Sequence, residues 1–240
     1  MKYRVLLVVL SLWIQAVAAQ TSVKINFRNV VDGRKLVLND STYTNPTGEV
    51  YTLTMCKYYI SNIAFIRPDG TVVNIEDTYH LVNEAKPSSL TYKINAVPPG
   101  SYSAIKFMIG VDSLQNVSGA QGGELDPINA MFWDWNTGYI MAKIEGRSAA
   151  APDGEITYHI GGFAGNTSSL RRATINLPHP LEVAANTQPT INIDANIGEW
   201  FKTPNTILFS KLPIVTTEGK EAAMIADNYA DMFTLKNIEE

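Results

Sequence analysis

Short segments of alternating apolar and polar residues run through most of the chain, with turn residues between them. In residues 23–27, valine, isoleucine and phenylalanine alternate with lysine and asparagine, which is the two-residue period of a half-buried strand. The aromatic-rich residues 51–65 predict a longer strand, and Pro68-Asp69-Gly70 predicts a hairpin from it into residues 72–75. Six further segments predict strands, namely residues 79–82, 102–111, 139–145, 155–160, 171–177 and 189–193.

Strands at this spacing, without helical patterns between them, predict the fold class. We expect an all-β protein, an antiparallel β-sandwich that is immunoglobulin-like or jelly-roll-like. Residues 221–232 differ, because apolar residues at positions 222, 223, 225, 226, 229, 230 and 232 follow a helical spacing and predict a short C-terminal helix. No break between segments is long or polar enough to be a linker, so residues 20–240 predict a single domain.

Residues 1–19 have the features of a secretory signal peptide. Lys2 and Arg4 precede an apolar run over residues 5–14, and Ala16-Val17-Ala18 gives small residues for cleavage after Ala18 or Ala19. The apolar run is shorter than the 18 or more residues that a membrane span needs, so we expect no span in the mature form. These features predict a periplasmic or secreted protein. A lipoprotein is not expected, since the sole cysteine lies far from the cleavage site.

Charge and cysteine content narrow the function classes. The chain has 19 basic and 23 acidic residues, and removal of Lys2 and Arg4 leaves 17 against 23, a net charge of -6. Without a basic run, the electrostatic requirement for nucleic-acid binding is not met. Cys56 is the single cysteine, so no disulfide can form within the chain. Its apolar neighbours predict a buried thiol.

The sequence lacks the motifs of common enzyme chemistries, which predicts a protein that is not an enzyme. We find no Gly-x-Ser-x-Gly, no phosphate-binding glycine loop and no His-Glu-x-x-His. One enzymatic alternative remains open, a hydrolase in which two carboxylates face each other across a cleft. Its candidate residues are Asp112, Glu124, Asp126 and Asp134.

The three histidines are the candidate metal ligands. His80 and His159 lie on predicted strands among large apolar residues, and two neutral imidazoles could hold copper or zinc. The alternative is that both are core or surface residues without a ligand, because two ligands do not close a metal site. His179 lies between two prolines and is predicted to be a loop residue.

The aromatic stretch over residues 131–139, with the sequence MFWDWNTGY, is the most unusual part of the chain. It could plug one end of the sandwich, with Asp134 capping a turn. It could instead form a stacking platform for a sugar ring or a partner, or place a tryptophan for oxidation. The candidate ligand or partner residues are Trp133, Asp134, Trp135 and Tyr139.

Several motifs in a fixed order resemble the MbnP-like family. They are YYISNI at 58–63, YHLV at 79–82, IGVD at 109–112, LDP at 125–127 with MFWDWNTGY at 131–139, and HIGG at 159–162. This family comprises exported, β-rich proteins similar to the copper-binding partner found with methanobactin systems. The resemblance spans about residues 23–235, and the Trp-x-Trp-x-x-Gly-Tyr segment is its most specific part.

The resemblance implies copper binding outside the cytoplasm, with two histidines as ligands, and a di-haem cytochrome c peroxidase-like protein as partner. His80 and His159 match the family's histidine motifs. In some relatives a tryptophan oxidised to kynurenine supplies a third donor near the first histidine. Residues 77–86 contain no tryptophan here, so Met55, Cys56, Met131 or water would have to complete the site.

The alternative function is a binding module without metal, which presents Trp133 and Trp135 to a glycan or to a protein. The two functions differ in one geometric requirement. Copper binding by two histidines requires the imidazoles of His80 and His159 to lie side by side in the folded chain.

Overall fold

Two β-sheets packed face to face form the fold. The computed structural model describes residues 21–136 and 138–240. The predicted signal peptide, residues 1–19, lies outside the described residues. In the described chain, each of the nine segments that the sequence predicts as strands overlaps an observed strand, and three of them, 72–75, 102–111 and 189–193, extend one or two residues beyond it.

The strands in chain order are β1 (Ser22–Val31), β2 (Arg34–Lys35), β3 (Tyr43–Thr44), β4 (Val50–Ile66), β5 (Val72–Asn74), β6 (Tyr79–Asn83), β7 (Thr91–Asn95), β8 (Gly100–Ile109), β9 (Phe132–Trp133), β10 (Gly138–Arg147), β11 (Glu155–Gly161), β12 (Arg171–Val183), β13 (Thr190–Asn196), β14 (Ile214–Val215) and β15 (Phe233–Glu239). The α-helices are α1 (Ser113–Val117) and α2 (Lys220–Tyr229). Short 3-10 helices lie at Pro87–Leu90, Gly123–Leu125, Pro127–Asn129, Gly165–Thr167 and Ile197–Phe201.

Strand β4, 17 residues long, is the central strand of the larger sheet. It pairs with β10 and then β8 along one side, and with β6 and then β5 along the other. The path of hydrogen-bonded neighbours through the sheet is β12-β8-β4-β10-β11-β14, in which β8 and β10 follow one another along the same side of β4. Between Ser61 and Ala64 the register shifts, and Asn62 has a φ of 50°, a left-handed conformation that asparagine tolerates at a bulge. This bulge bends β4 so that one strand can serve both partners on each side.

The smaller sheet joins the two ends of the described chain. Its order is β15-β13-β1-β2, with β7 also paired to β1. Strands β1 and β13 run parallel, in register from Lys24 opposite Thr190 to Val30 opposite Asn196. No hairpin turn sets the direction of strands so far apart in sequence. The predicted β-sandwich is confirmed, and the parallel pairs β1–β13 and β11–β14 are its departures from an antiparallel pattern.

The predicted C-terminal helix is confirmed as α2, although it ends at Tyr229 rather than residue 232. Its buried residues include Ala222, Ile225, Ala226 and Tyr229, a spacing that gives one apolar stripe against the core. The chain then continues into β15, which the sequence analysis missed. Among the described residues, no helix has the length and apolar character needed to cross a membrane.

Phe27 links the two sheets at the centre of the core. Its ring lies edge-on to the rings of Tyr58, Phe107 and Phe233, with centroid distances of 6.2 to 6.4 Å, and it is 2% exposed. Tyr58 belongs to the larger sheet and Phe233 to the smaller one. Aromatic side chains contribute the largest buried areas in a core, so this cluster is a major source of adhesion between the sheets.

We expect Phe27→Ala to lower the free energy of unfolding by about 3 to 5 kcal/mol, because it leaves a cavity between the sheets. Urea unfolding followed by circular dichroism measures the change. The control is Val50→Ala at a side chain that is 54% exposed, for which a change within about 0.5 kcal/mol is expected. Similar losses in both variants would contradict a central role for Phe27.

Candidate functional site

Residues 111–136, between β8 and β10, form a segment that lies over the outer face of the larger sheet. We call it the covering segment. It contains α1, two of the 3-10 helices and β9, which pairs with the start of β10. Beneath it lies a second apolar cluster, separate from the core between the sheets, made of Tyr59, Leu81, Val111, Leu125, Met131, Trp133, Tyr139, Ile140 and Met141.

Side chains of the sheet hold the covering segment in place through its backbone carbonyls. The ammonium group of Lys57 donates to the carbonyl of Asn129 at 2.9 Å, and the Tyr59 hydroxyl donates to that of Glu124 at 3.0 Å. The Tyr139 hydroxyl donates to the carbonyl of Leu125 at 2.9 Å. Such bonds satisfy carbonyls that an irregular segment cannot pair with itself. The covering segment is therefore fixed to the sheet along its length.

His159 lies on the same outer face, within a small polar cluster. Its Nε2 is 2.8 Å from Oε1 of Glu145, and Nζ of Lys143 is 3.3 Å from the same oxygen. Cross-strand pairing places Lys57, Lys143 and His159 in one row on β4, β10 and β11. The His159 side chain is 19% exposed, so solvent reaches the ring.

The charges of this cluster follow from its hydrogen bonds. Burial disfavours ionisation of Glu145, but the bonds from His159 and Lys143 outweigh it and lower the pKa of this carboxyl group. Desolvation lowers the pKa of His159 despite the opposing effect of Glu145. The imidazole is thus neutral at pH 7, and because a carboxylate only accepts, Nε2 carries the proton. The lone pair of His159 is therefore on Nδ1.

His80 lies in the core between the sheets and is 5% exposed. Its ring stacks on Tyr92 of the smaller sheet, with centroids 4.4 Å apart and planes 7° from parallel. Nε2 donates to the carbonyl of Ser89 at 2.7 Å, and Nδ1 lies 4.0 Å from Oε1 of Glu124. Desolvation lowers the pKa of His80, opposed by the Ser89 carbonyl and Glu124.

The structure does not bring His80 and His159 together. Asn83, Lys57, Lys143 and His159 pair in one row across β6, β4, β10 and β11, so their side chains share the outer face. His80 is three residues from Asn83 and points to the opposite, inner face. Three strand spacings, about 14 Å, also separate β6 from β11. The expectation of one site shared by two adjacent imidazoles fails because the pleat places them on opposite faces.

The aromatic stretch divides into a buried part and an exposed part. Trp133 and Tyr139 are 6% and 0% exposed and pack in the second cluster, so the plug interpretation holds for them. The Trp133 indole covers Gly161 on β11, where a β-carbon would clash with the ring. Trp135 is 61% exposed, and its ring centroid is 5.5 Å from that of Trp133. Asp134 between them is exposed.

Three of the four acidic residues of the covering segment accept hydrogen bonds from backbone amides. Asp112 caps α1 by accepting from the amides of Leu114 and Gln115. Asp126 accepts from Ile128, and Glu124 accepts from Leu81. These bonds oppose the hydrolase alternative, in which two free carboxylates would flank a substrate.

Two other sequence expectations have clear outcomes. Cys56 is 1% exposed, which confirms the buried thiol, and burial raises its pKa. His179 lies in β12 rather than in a loop, at a place where the register with β8 shifts. Among the described residues, no group of three or more His, Cys, Asp or Glu side chains could hold a metal ion.

The fold and this site can now be compared with known proteins. The family model described as MbnP matches residues 20–218. The chain belongs to the MbnP family. A search of the solved structures finds similarity to MbnP from Methylosinus trichosporium, with a TM-score of 0.53, 16% sequence identity, and coverage of 79% of this chain and 80% of that one. A search of the curated proteins found no match. At 16% identity the MbnP structure shows a shared fold.

The sequence analysis missed Lys57, Lys143 and Glu145, which surround His159 in this MbnP-family chain. A signal for two of them was present. Lys143 and Glu145 are charged residues two positions apart in a strand that is otherwise apolar from 139 to 144. A two-residue spacing places both on one face, and buried charges in a strand require partners. What the sequence could not give is that His159 lies opposite Lys143.

The lowered pKa of His80 gives a test by pH. The unfolded chain binds the His80 proton more readily than the folded one, so folding stability falls as the pH drops below about 6.5. Glu124 and Lys86 face the ring with opposite effects on its pKa. We expect His80→Gln to reduce the pH dependence between pH 7.5 and 5.5 by at most about 1.4 kcal/mol per pH unit, measured by urea unfolding of the metal-free protein.

The control for this variant is Val50→Ala, since the Val50 side chain is 54% exposed and carries no titratable group. It should leave the pH dependence of unfolding unchanged. If the His80→Gln variant kept the wild-type pH dependence of the free energy of unfolding, the lowered pKa of His80 in the folded chain would be refuted.

Proposed function

We propose that this MbnP-family chain is an exported binding protein rather than an enzyme, and that it binds copper through His159. The observation that carries the proposal is the hydrogen bond between Nε2 of His159 and Glu145, at 2.8 Å on a solvent-reachable face. A metal-binding histidine commonly donates its other ring N–H to a carboxylate, which fixes the tautomer and orients the ring. In this arrangement Nδ1 would bind the ion.

The donors near His159 limit the kind of copper site. Cys56 pairs with Ile144 on the inner face, and Met131 is 1% exposed in the second cluster, so neither supports the proposal. Met55, which pairs with Glu145, shares the outer face with His159. The described residues thus supply one well-oriented imidazole and, on the same face, the thioether of Met55, and water or a ligand from outside the chain would complete the coordination.

Nearby charges favour an ion of low charge. The ammonium groups of Lys57 and Lys143 lie in the same row as His159, and Glu145 offsets part of their charge. Repulsion grows with the charge of the incoming ion. Imidazole and thioether groups also suit monovalent copper. We therefore propose Cu(I) as the ion to test first.

We expect His159→Ala to weaken Cu(I) binding by tenfold or more, a loss of about 1.4 kcal/mol or more. Glu145→Gln should weaken it by about 10- to 100-fold, the usual cost of losing a partner that orients a ligand. Competition with a chromogenic Cu(I) chelator measures the affinities anaerobically at pH 7.5. Acidification should release the ion, because a protonated ring cannot bind it.

His179→Ala is the control for loss of an accessible imidazole, and His80→Ala tests the buried one. Both should retain wild-type affinity. Equal Cu(I) affinity in all four variants would refute copper binding at His159. Loss of Cu(I) affinity in His80→Ala alone would place the copper site at His80, on the inner face.

A di-haem cytochrome c peroxidase-like partner belongs to this proposal through the family resemblance. The support for it is family membership, together with the signal-like residues 1–19, which would bring the chain to the compartment of such a protein. The partner and the export both stay predictions.

A second candidate function is a binding module without metal, centred on Trp135. Its support is the exposure of this indole, 61%, beside a second indole that is held rigidly on Gly161. An exposed and well-supported aromatic ring suits stacking against a sugar or a protein side chain.

For this second candidate we expect the tryptophan fluorescence to change when soluble oligosaccharides are added, and Trp135→Ala to abolish the change. Copper should not reproduce it. The control is Trp200→Phe, which removes a fully buried indole and should leave the response in place. A saccharide response that persists in Trp135→Ala would exclude the exposed indole as the platform.

A further inference from the structure

We propose that the outer surface of the covering segment, residues 111–136, is a docking surface for a protein with a basic rim around an apolar centre. The inference rests on the second candidate function and names its partner class. It is independent of copper binding at His159.

Exposed apolar side chains are concentrated on this segment. Eight large apolar side chains in the described chain are exposed, and the four most exposed ones all lie here. They are Leu114 at 70%, Val117 at 69%, Ile128 at 87% and Trp135 at 61%. Single exposed apolar residues are ordinary, but their concentration on one segment of a sandwich is typical of an interaction site.

Folding does not require these four side chains to be apolar. The covering segment packs against the sheet through other residues, chiefly Leu125, Met131 and Trp133. Helix α1 and the 3-10 helix at Pro127–Asn129 begin at the carboxylates of Asp112 and Asp126, which cap them. The four exposed side chains take part neither in the packing against the sheet nor in the helix caps. We therefore assign them to a contact with another molecule.

The covering segment is acidic, which bears on the kind of partner it attracts. The covering segment contains four acidic residues, Asp112, Glu124, Asp126 and Asp134, and no lysine or arginine. The mature chain as predicted carries -6, from 17 basic and 23 acidic residues. A basic partner would be attracted over a distance, whereas a second copy of this chain or an anionic membrane would be repelled. Arg171 and Arg172 line a groove beside Leu114, but the charges of the segment itself are all acidic and favour a basic protein as the occupant.

Hydrogen bonds hold the covering segment rigid. Lys57 holds the carbonyl of Asn129 next to Ile128, and the Asn116 side chain bonds to the carbonyls of Val111 and Asp112 around α1. A surface that is already ordered loses little conformational entropy on association. The segment thus presents its apolar side chains in fixed positions.

The test uses two proteins of the same fold and opposite charge as probes, lysozyme (basic) and α-lactalbumin (acidic). Amide chemical shifts of the full mature chain are followed at low salt. Lysozyme should shift resonances clustered in residues 111–136, and the shifts should diminish when salt is raised about tenfold, because the attraction is screened. α-Lactalbumin should produce no such cluster.

Charge-neutral variants separate docking from simple attraction between opposite charges. We expect Leu114→Ser combined with Ile128→Ser to weaken lysozyme binding at least about fivefold, since the apolar centre of an interface carries much of its energy. The matched control is Val50→Ser combined with Val72→Ser, at exposed sites outside the segment, with no change expected. Circular dichroism verifies that every variant is folded.

Three outcomes would overturn the inference. Shifts spread over the whole surface, or equal affinity in both double variants, would reduce the effect to net charge. Self-association that Leu114→Ser and Ile128→Ser abolish, measured by sedimentation, would make a second copy the occupant. If saccharides changed the tryptophan fluorescence through Trp135 but lysozyme did not bind, the second candidate function would be supported and the proposal of a protein partner would be refuted.

Discussion

The pleat of β4 is the constraint on which the rest of the structure depends. Lys57 and Tyr58 are neighbours in sequence, yet one side chain reaches out to the covering segment and the other reaches in to Asn29 in the core. Because successive side chains alternate between faces, each strand of the larger sheet must serve two environments at once. The core between the sheets and the polar cluster with its covering segment are built on the same backbone. A one-residue slip of β4 would exchange them.

This alternation also explains what the sequence could and could not predict. Segments such as 155–160 and 171–177 were identified as strands because their two-residue period is a local property. The same period could have placed His80 on the face of Val82, but no local pattern tells which face of a strand meets which partner. The pairing of His159 with Lys143 and of Lys143 with Lys57 depends on register across three strands. That register is set by the assembled sheet.

The aromatic stretch illustrates the same limit within a few residues. Composition alone left a plug and a platform open, and both descriptions apply, to Trp133 and Trp135 respectively. Gly161 leaves space above β11 for the Trp133 indole, while the Trp135 indole lies exposed beside it. The sequence separates these residues by 25 to 30 positions, and only the folded sheet joins them. Family membership was accessible from motif order, whereas the environment of each motif residue was not.

The parallel pairing of β1 with β13 has a consequence for how the molecule is completed. Strand β1 precedes its partner β13 by more than 150 residues in the chain. The smaller sheet cannot be complete until β13 has paired with β1 and β15 has joined β13. Pairings between distant segments slow folding. Until β13 pairs with it, that side of β1 is an open strand edge, the kind of surface that pairs with other chains when it is left exposed.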